Sequence, residues 1–142
     1  ASSDADVWKK KYKRYFDEYG ITAKLTEHEV ETKYDSFQFD KAWKNEIWHC
    51  YLPVSFDLQN VENIRNKVYK WAGKLTELAT ASEFIDVTLL TSIPKRHLEL
   101  SGFIQEKLTL KSAEITVKLV SELDAERFAR DLVGEMGEHD VA

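Results

Sequence analysis

Apolar residues recur along this chain in some stretches at the spacing of a helix and in others at the alternate spacing of a strand. The clearest stretch is Val61, Ile64, Val68, Trp71, Leu75 and Leu78, whose steps alternate between three and four. With Asp57 or Asn60 as cap it predicts a long amphipathic helix over residues 60–80. Such a stripe can be a core face or a self-association seam, and the need of a sheet for a cover favours the core. Gly73 falls inside this helix, where glycine costs about 1 kcal/mol relative to alanine. It is either tolerated there or needed by a backbone that crosses closely.

A shorter helix is predicted over Val7 to Tyr19, where Trp8, Tyr12, Phe16 and Tyr19 recur at steps of four, four and three. Asp4 or Asp6 would cap it and Gly20 would stop it, with residues 1–6 as a disordered lead-in. Asp124 would cap a last helix that turns Ala125, Phe128, Ala129, Leu132, Val133 and Met136 inward. Gly137 would end it, leaving 138–142 as a frayed tail.

Between the helices the pattern alternates. Glu46 to Phe56 places Trp48, Cys50, Leu52 and Val54 on one face and Ile47, His49 and Tyr51 on the other, with Pro53 at an edge or bulge. Phe84 to Thr91 is a second apolar strand, closed by Ile93-Pro94. Leu98–Lys111 and Glu114–Glu122 read as an antiparallel pair, Ile104, Leu108 and Leu110 facing Ile115, Val117 and Leu119. Ile21 to Lys33 reads as one bent strand or a loose hairpin. Asp35 to Asn45, with Phe37, Phe39 and Trp43, reads as an aromatic connection over the core edge.

The expected architecture is a single α+β domain over residues 1–142, with a mainly antiparallel sheet of about five strands. An N-terminal, a long central and a C-terminal helix would cover one face. From residue 46 onward the order of elements could also be laid out as a ferredoxin-like arrangement.

Composition narrows the class. At 142 residues, 43% hydrophobic and 12% aromatic, the chain can build a core. Its single cysteine cannot form an internal disulfide, which favours a cytoplasmic or other reducing compartment. No run of residues is long and apolar enough to span a membrane, so a soluble protein is expected. The net charge of −5 gives no general attraction for phosphate, and nucleic acid would have to be held by a local patch.

One such patch exists. Lys9, Lys10, Lys11, Lys13 and Arg14 interleave with Trp8, Tyr12, Tyr15 and Phe16, and Lys95, Arg96 and His97 form a basic corner after Pro94. Cations beside aromatic faces suit phosphates and bases or a lipid interface. The same residues also suit a solvated helix face whose acids, Asp4, Asp6, Asp17 and Glu18, offset the lysines.

Catalytic signatures are weaker. His49 and Cys50 are neighbours in a strand, so they point to opposite faces and cannot form a dyad; Cys50 reads as a small buried hydrophobe. His28 among Glu27, Glu29 and Glu31, and His97 before Glu99, lack the spacing of a metal pair. His139-Asp140 lies in the tail. Phosphate-loop, dinucleotide, C-x-x-C and nucleophile-elbow patterns do not occur. No cofactor or metal is called for.

The aromatics remain. Trp48 and Trp71 read as core, whereas Tyr15, Tyr19, Trp43, Tyr51 and Tyr69 are candidates for the aromatic surface of a protein interface. The expected function is a non-catalytic protein-interaction or assembly module, a part of a larger protein or complex, with an edge strand available for pairing. A nucleic-acid-binding accessory domain is the alternative. A small-ligand-binding domain or an enzyme without a recognisable motif comes third.

Overall fold

The computed structural model describes residues 2–141, with side chains from Ser2 to Gly137. It is an α+β fold built on one six-stranded sheet in the order β1-β2-β3-β4-β6-β5. The strands are β1 (Thr26–Glu31), β2 (Ser36–Lys44), β3 (Trp48–Ser55), β4 (Ile85–Ser92), β5 (Leu110–Lys111) and β6 (Ile115–Ser121). The β1–β2, β2–β3 and β5–β6 pairings are antiparallel, while β3–β4 and β4–β6 are parallel. Antiparallel pairings are thus the majority, but the centre of the sheet is parallel.

Four helices cover it. The first, α1, has three consecutive parts: Asp4–Val7, a π turn at Trp8–Tyr12, and Lys13–Glu18. The others are α2 (Val61–Leu78), α3 (Ser101–Leu108) and α4 (Ala125–Val141). Contrary to the expectation from sequence, they do not share one face. Helices α2 and α3 pack on a first face with Cys50, Val54, Val87, Leu89, Ile115 and Val117. Helices α1 and α4 pack on the second face with Trp43, Tyr51, Leu90 and Val120. The physical reason is that β4, at the parallel centre of the sheet, is buried on both sides along nearly its whole length, which demands a cover on each. The ferredoxin-like layout is not adopted: β3 and β4 pair directly, so their crossover is an unsplit βαβ unit.

The stripe on α2 faces the core as read, with Ile64, Val68, Leu75 and Leu78 buried and Asn60 as cap, its side chain accepting from the Asn63 N–H. The N-terminal reading needs correction. Ser3 and Asp6 form a reciprocal capping box, so the helix begins at Asp4. Ser2 to Asp6 are ordered by tertiary bonds: Asp4 accepts from the Ser55 N–H and from Lys67, both at 2.7 Å. The π turn then lets Val7 and Tyr12, five apart, both point inward. Gly20, at φ 73°, ends the helix as read.

Elsewhere the elements shift. Ile21 to Lys33 resolves into a 3-10 turn at Thr22–Lys24 followed by β1. Residues 36–44, read as a connection, are the nine-residue strand β2. Residues 98–108, read as a strand, form a 3-10 turn at Leu98–Leu100 leading into α3, because Leu100, Ile104 and Leu108 are buried at helical steps of four. Only Leu110 and Lys111 pair with β6. Pro53 lies past Cys50, the last β3 residue that β2 pairs, so its missing donor falls where the strand is open on that side. Before α4, Ser121 accepts from Leu123 N–H and caps a 3-10 turn at Glu122–Asp124, in place of an Asp124 cap. The backbone helix continues past Gly137 to Val141; the expected fray of 138–142, with His139 and Asp140, falls outside the described side chains.

Candidate functional site

Because β3, β4 and β6 are parallel and in register, their second-face residues form rows across the sheet. His49 stands opposite Asp86, and Tyr51 opposite Thr88, which in turn stands opposite Lys118. These polar residues sit toward the amino ends of the strands, beneath the middle of α4. They surround a space of about 130 Å³ with Phe128, Asp131, Leu132 and Glu135.

His49 is 8% exposed and both its ring nitrogens are occupied. Nδ1 lies 2.9 Å from Asp86 Oδ2 and Nε2 lies 2.9 Å from Asn45 Oδ1. The Asn45 oxygen also accepts the Ile47 N–H, which fixes the amide's orientation. Neither ring nitrogen is therefore left to face a substrate. Trp43 stacks on it with centroids 4.7 Å apart and donates from Nε1 to Tyr51 Oη at 2.8 Å. Trp43 and Tyr51, candidates for an exposed aromatic patch, are thus buried in the second-face core at 7% and 3% exposure. Burial raises the Tyr51 phenol, with the charges of Glu135 and Asp86 adding to the shift and the Trp43 bond opposing it.

Cys50 points to the other face and is fully buried, as read. Burial pushes its thiol up to about 12, with Glu83 and Asp86 contributing. His28 does not gather the neighbouring glutamates. It stacks on Trp48, centroids 3.9 Å apart, and meets Glu83 at 2.5 Å. Among the described residues no three His, Cys, Asp or Glu side chains could hold a metal ion together.

A second concavity, about 230 Å³, lies at the carboxyl ends of β4 and β6, between Thr91, Ser92, Pro94, Ile104, Ser121 and Asp124. Here the chain leaves β4 toward α3 on the first face and leaves β6 toward α4 on the second. Diverging connections open a crevice of this kind, where ligands of open sheets tend to bind.

Of the basic candidates, Lys11, Lys95 and Arg96 lie near the same end. Glu122, buried beneath them, accepts from Ile93 N–H at 2.9 Å and pairs with Lys11 at 3.1 Å. Lys13 is paired with Asp17 at 2.7 Å, and Arg14 lies over the Tyr15 ring and donates to its hydroxyl. Lys9 and Lys10 are exposed and help to hold the Asp6 carboxyl below its ordinary range, after the stronger effect of the Ser3 backbone bond. Lys95 and Arg96 are exposed. Tyr15 and Tyr19 are half-buried, and Tyr69, 57% exposed, meets Phe103 edge-on across α2 and α3.

The third notable surface is the edge of the sheet. Among the described residues no strand pairs with the outer side of β1. Val30 points into the first-face core, so Glu27, Glu29 and Glu31 line the opposite side and are exposed. A hydrogen bond to Glu29 raises the Glu31 carboxyl above its ordinary value, with desolvation and the Glu29 charge adding.

Sequence reading missed Asn45, Asp86, Thr88, Lys118, Asp131 and Glu135. A signal was present in β4, where Asp86 and Thr88 interrupt Ile85, Val87 and Leu89 at a period of two. Comparison with protein-family models, curated proteins and solved structures returns no match. No described helix is long and apolar enough to cross a membrane.

Proposed function

We propose that this chain is a protein-association module that takes an extended, basic segment along the outer edge of β1. The observation that supports this most directly is the free edge itself, six residues long, with its acids on one side. Main-chain donors and acceptors along such an edge supply affinity for an added strand, and side chains at alternate positions supply selectivity. The glutamates oppose pairing of β1 with a second β1 by like charge, so they disfavour self-association while favouring a cationic partner.

The probe is a short synthetic peptide of alternating lysine and valine, titrated into isotope-labelled protein. Saturable shifts should appear in the amides of Thr26–Glu31, and the triple variant E27K/E29K/E31K should weaken binding at least about tenfold, the size of a 1.4 kcal/mol loss. A peptide of alternating lysine and proline, equally charged but with half its N–H donors removed, should bind far more weakly. Equal binding of both peptides, or shifts confined to other surfaces, would overturn the proposal.

A second reading, a small-ligand site, is favoured by the crevice where β4 and β6 diverge. Its occupation would shift Thr91, Ile104 and Ser121 and leave β1 unmoved. The nucleic-acid reading has less support, since Lys11, Lys13 and Arg14 already have partners.

A further inference from the structure

We infer that the space beneath α4, bounded by Tyr51, Asp86, Thr88, Lys118, Phe128 and Glu135, is a binding site for a small organic cation bearing a primary ammonium group. It is independent of the β1 edge.

The first argument is an unmet hydrogen bond. Buried hydroxyls elsewhere in this sheet are satisfied by protein: Thr91 donates to Val120 O at 2.8 Å, and Ser55 and Ser92 share a bond at 3.0 Å. Thr88, fully buried, is the exception among the described residues, since its Oγ1 meets no protein partner. A buried polar atom without a partner is costly, and this one belongs to a residue that lines the space.

The second argument is charge. Asp131 and Glu135 lie one helical turn apart on the inner edge of α4, and like charges at this spacing repel. Neither is in an ion pair within the described structure. Asp86 is committed to His49 through one oxygen only. Lys118 rests over the Phe128 ring, 5.5 Å from its centroid, and makes no ion pair with these acids. The lining therefore keeps a net negative balance.

The third argument is geometry. The acids do not converge closely enough to hold a metal ion. A primary ammonium instead directs separate N–H donors at separated acceptors, here the Thr88 hydroxyl and the surrounding carboxylates. Tyr51, Phe128 and Leu132 supply aromatic and apolar walls for a short carbon chain. The volume of about 130 Å³ limits that chain to a few carbons.

Methylammonium and ethylammonium chlorides, titrated into isotope-labelled protein, should give saturable shifts at Thr88, Lys118, Phe128 and Glu135. Tetramethylammonium, which has the charge without N–H donors, and ethanol, which has no charge, should bind at least about tenfold more weakly. Thr88→Val should weaken ethylammonium binding about tenfold, a 1.4 kcal/mol loss, while raising the Tm of the ligand-free protein. Glu135→Gln, at an exposed helix position, supplies a second variant that keeps the fold and should also weaken binding. The inference is overturned if ethanol or tetramethylammonium reproduces the shifts. It is equally overturned if Thr88→Val raises Tm without changing ethylammonium affinity, since the hydroxyl would then be served by water alone.

Discussion

On its first face the sheet offers Cys50, Val54, Val87, Leu89, Ile115 and Val117 to α2 and α3, a set held by packing. On the second face Tyr12, Phe16, Trp43, Tyr51 and Phe128 form a layer of rings threaded by directional bonds. Tyr12 donates to Thr91 O at 2.7 Å and Val120 O at 3.0 Å, joining α1 to the carboxyl ends of two parallel strands. The difference lies in what each face tolerates. Aliphatic packing stabilises by filling volume and leaves no place for a polar group. A face fixed by hydrogen bonds at particular points can carry His49, Asp86 and Thr88 beside its core and keep a polar space beneath a helix. Both candidate concavities involve this second layer or the border where it meets the first.

The contrast is tested most strongly by removing one group from each side of the sheet. Leu89→Ala, at a fully buried first-face position, should lower the urea-derived stability by about 4 kcal/mol, as transfer and cavity terms add. Tyr12→Phe keeps the ring and loses only the hydroxyl, so the expected loss is about 2 kcal/mol, set by carbonyl groups left with fewer partners. Val120 O would keep the Thr91 hydroxyl. If Tyr12→Phe cost as much as Leu89→Ala, the second face would rest on its hydrogen bonds more than on its rings, and the division drawn here would fail.

Alkaline titration separates the faces by pH. Burial raises the Cys50 thiol from its ordinary 9.0 to about 12. Below pH 9 the folded and unfolded chains both hold the proton. Between 9 and 12 only the unfolded chain gives it up, so stability falls by up to about 1.4 kcal/mol per pH unit. Burial also raises Tyr12 and Tyr51 from an ordinary 10.0, so the second-face contribution to this fall begins about one unit higher. Cys50→Val should flatten the onset near pH 9 and leave the steeper decline above pH 10. An unchanged profile would mean that the thiol is reached by solvent in the folded state, and rapid alkylation of the native protein would then confirm that access.

What the sequence disclosed follows the same division. The α2 stripe, the two faces of β3 and the inward set of α4 were legible because each keeps one period without interruption. Strand β2 was hidden by a bulge: Thr26 faces Ala42 and His28 faces Phe39, so β2 spends one residue more than β1. Phe39 and Ala42 can then both lie on the first face and Trp43 on the second, a pattern with no single period. Helix α3 was mistaken for a strand because Ile104, Leu108 and Leu110 satisfy a period of two, while Leu100, Ile104 and Leu108 satisfy a helical step of four equally well. The polar space was illegible for another reason. It is made by register between three parallel strands and by a helix from the far end of the chain, and neither is written in any local run of residues.

The smallest effect concerns the outer surface of the first-face cover. Gly73 was open to two readings, tolerated or required by close approach. A Cβ built on it meets nothing within 4 Å, and the residue is exposed on the side of α2 turned away from the sheet. Glycine's freedom is therefore not used there, and its cost in a helix interior is uncompensated. Gly73→Ala should raise stability by about 1 kcal/mol through reduced backbone entropy of the unfolded chain and better helix propensity. The gain should appear as a higher urea midpoint with an unchanged slope, since no buried surface is added. A loss in place of a gain would mean that another chain approaches α2 at this point, and would make the outer side of the first-face cover a contact surface.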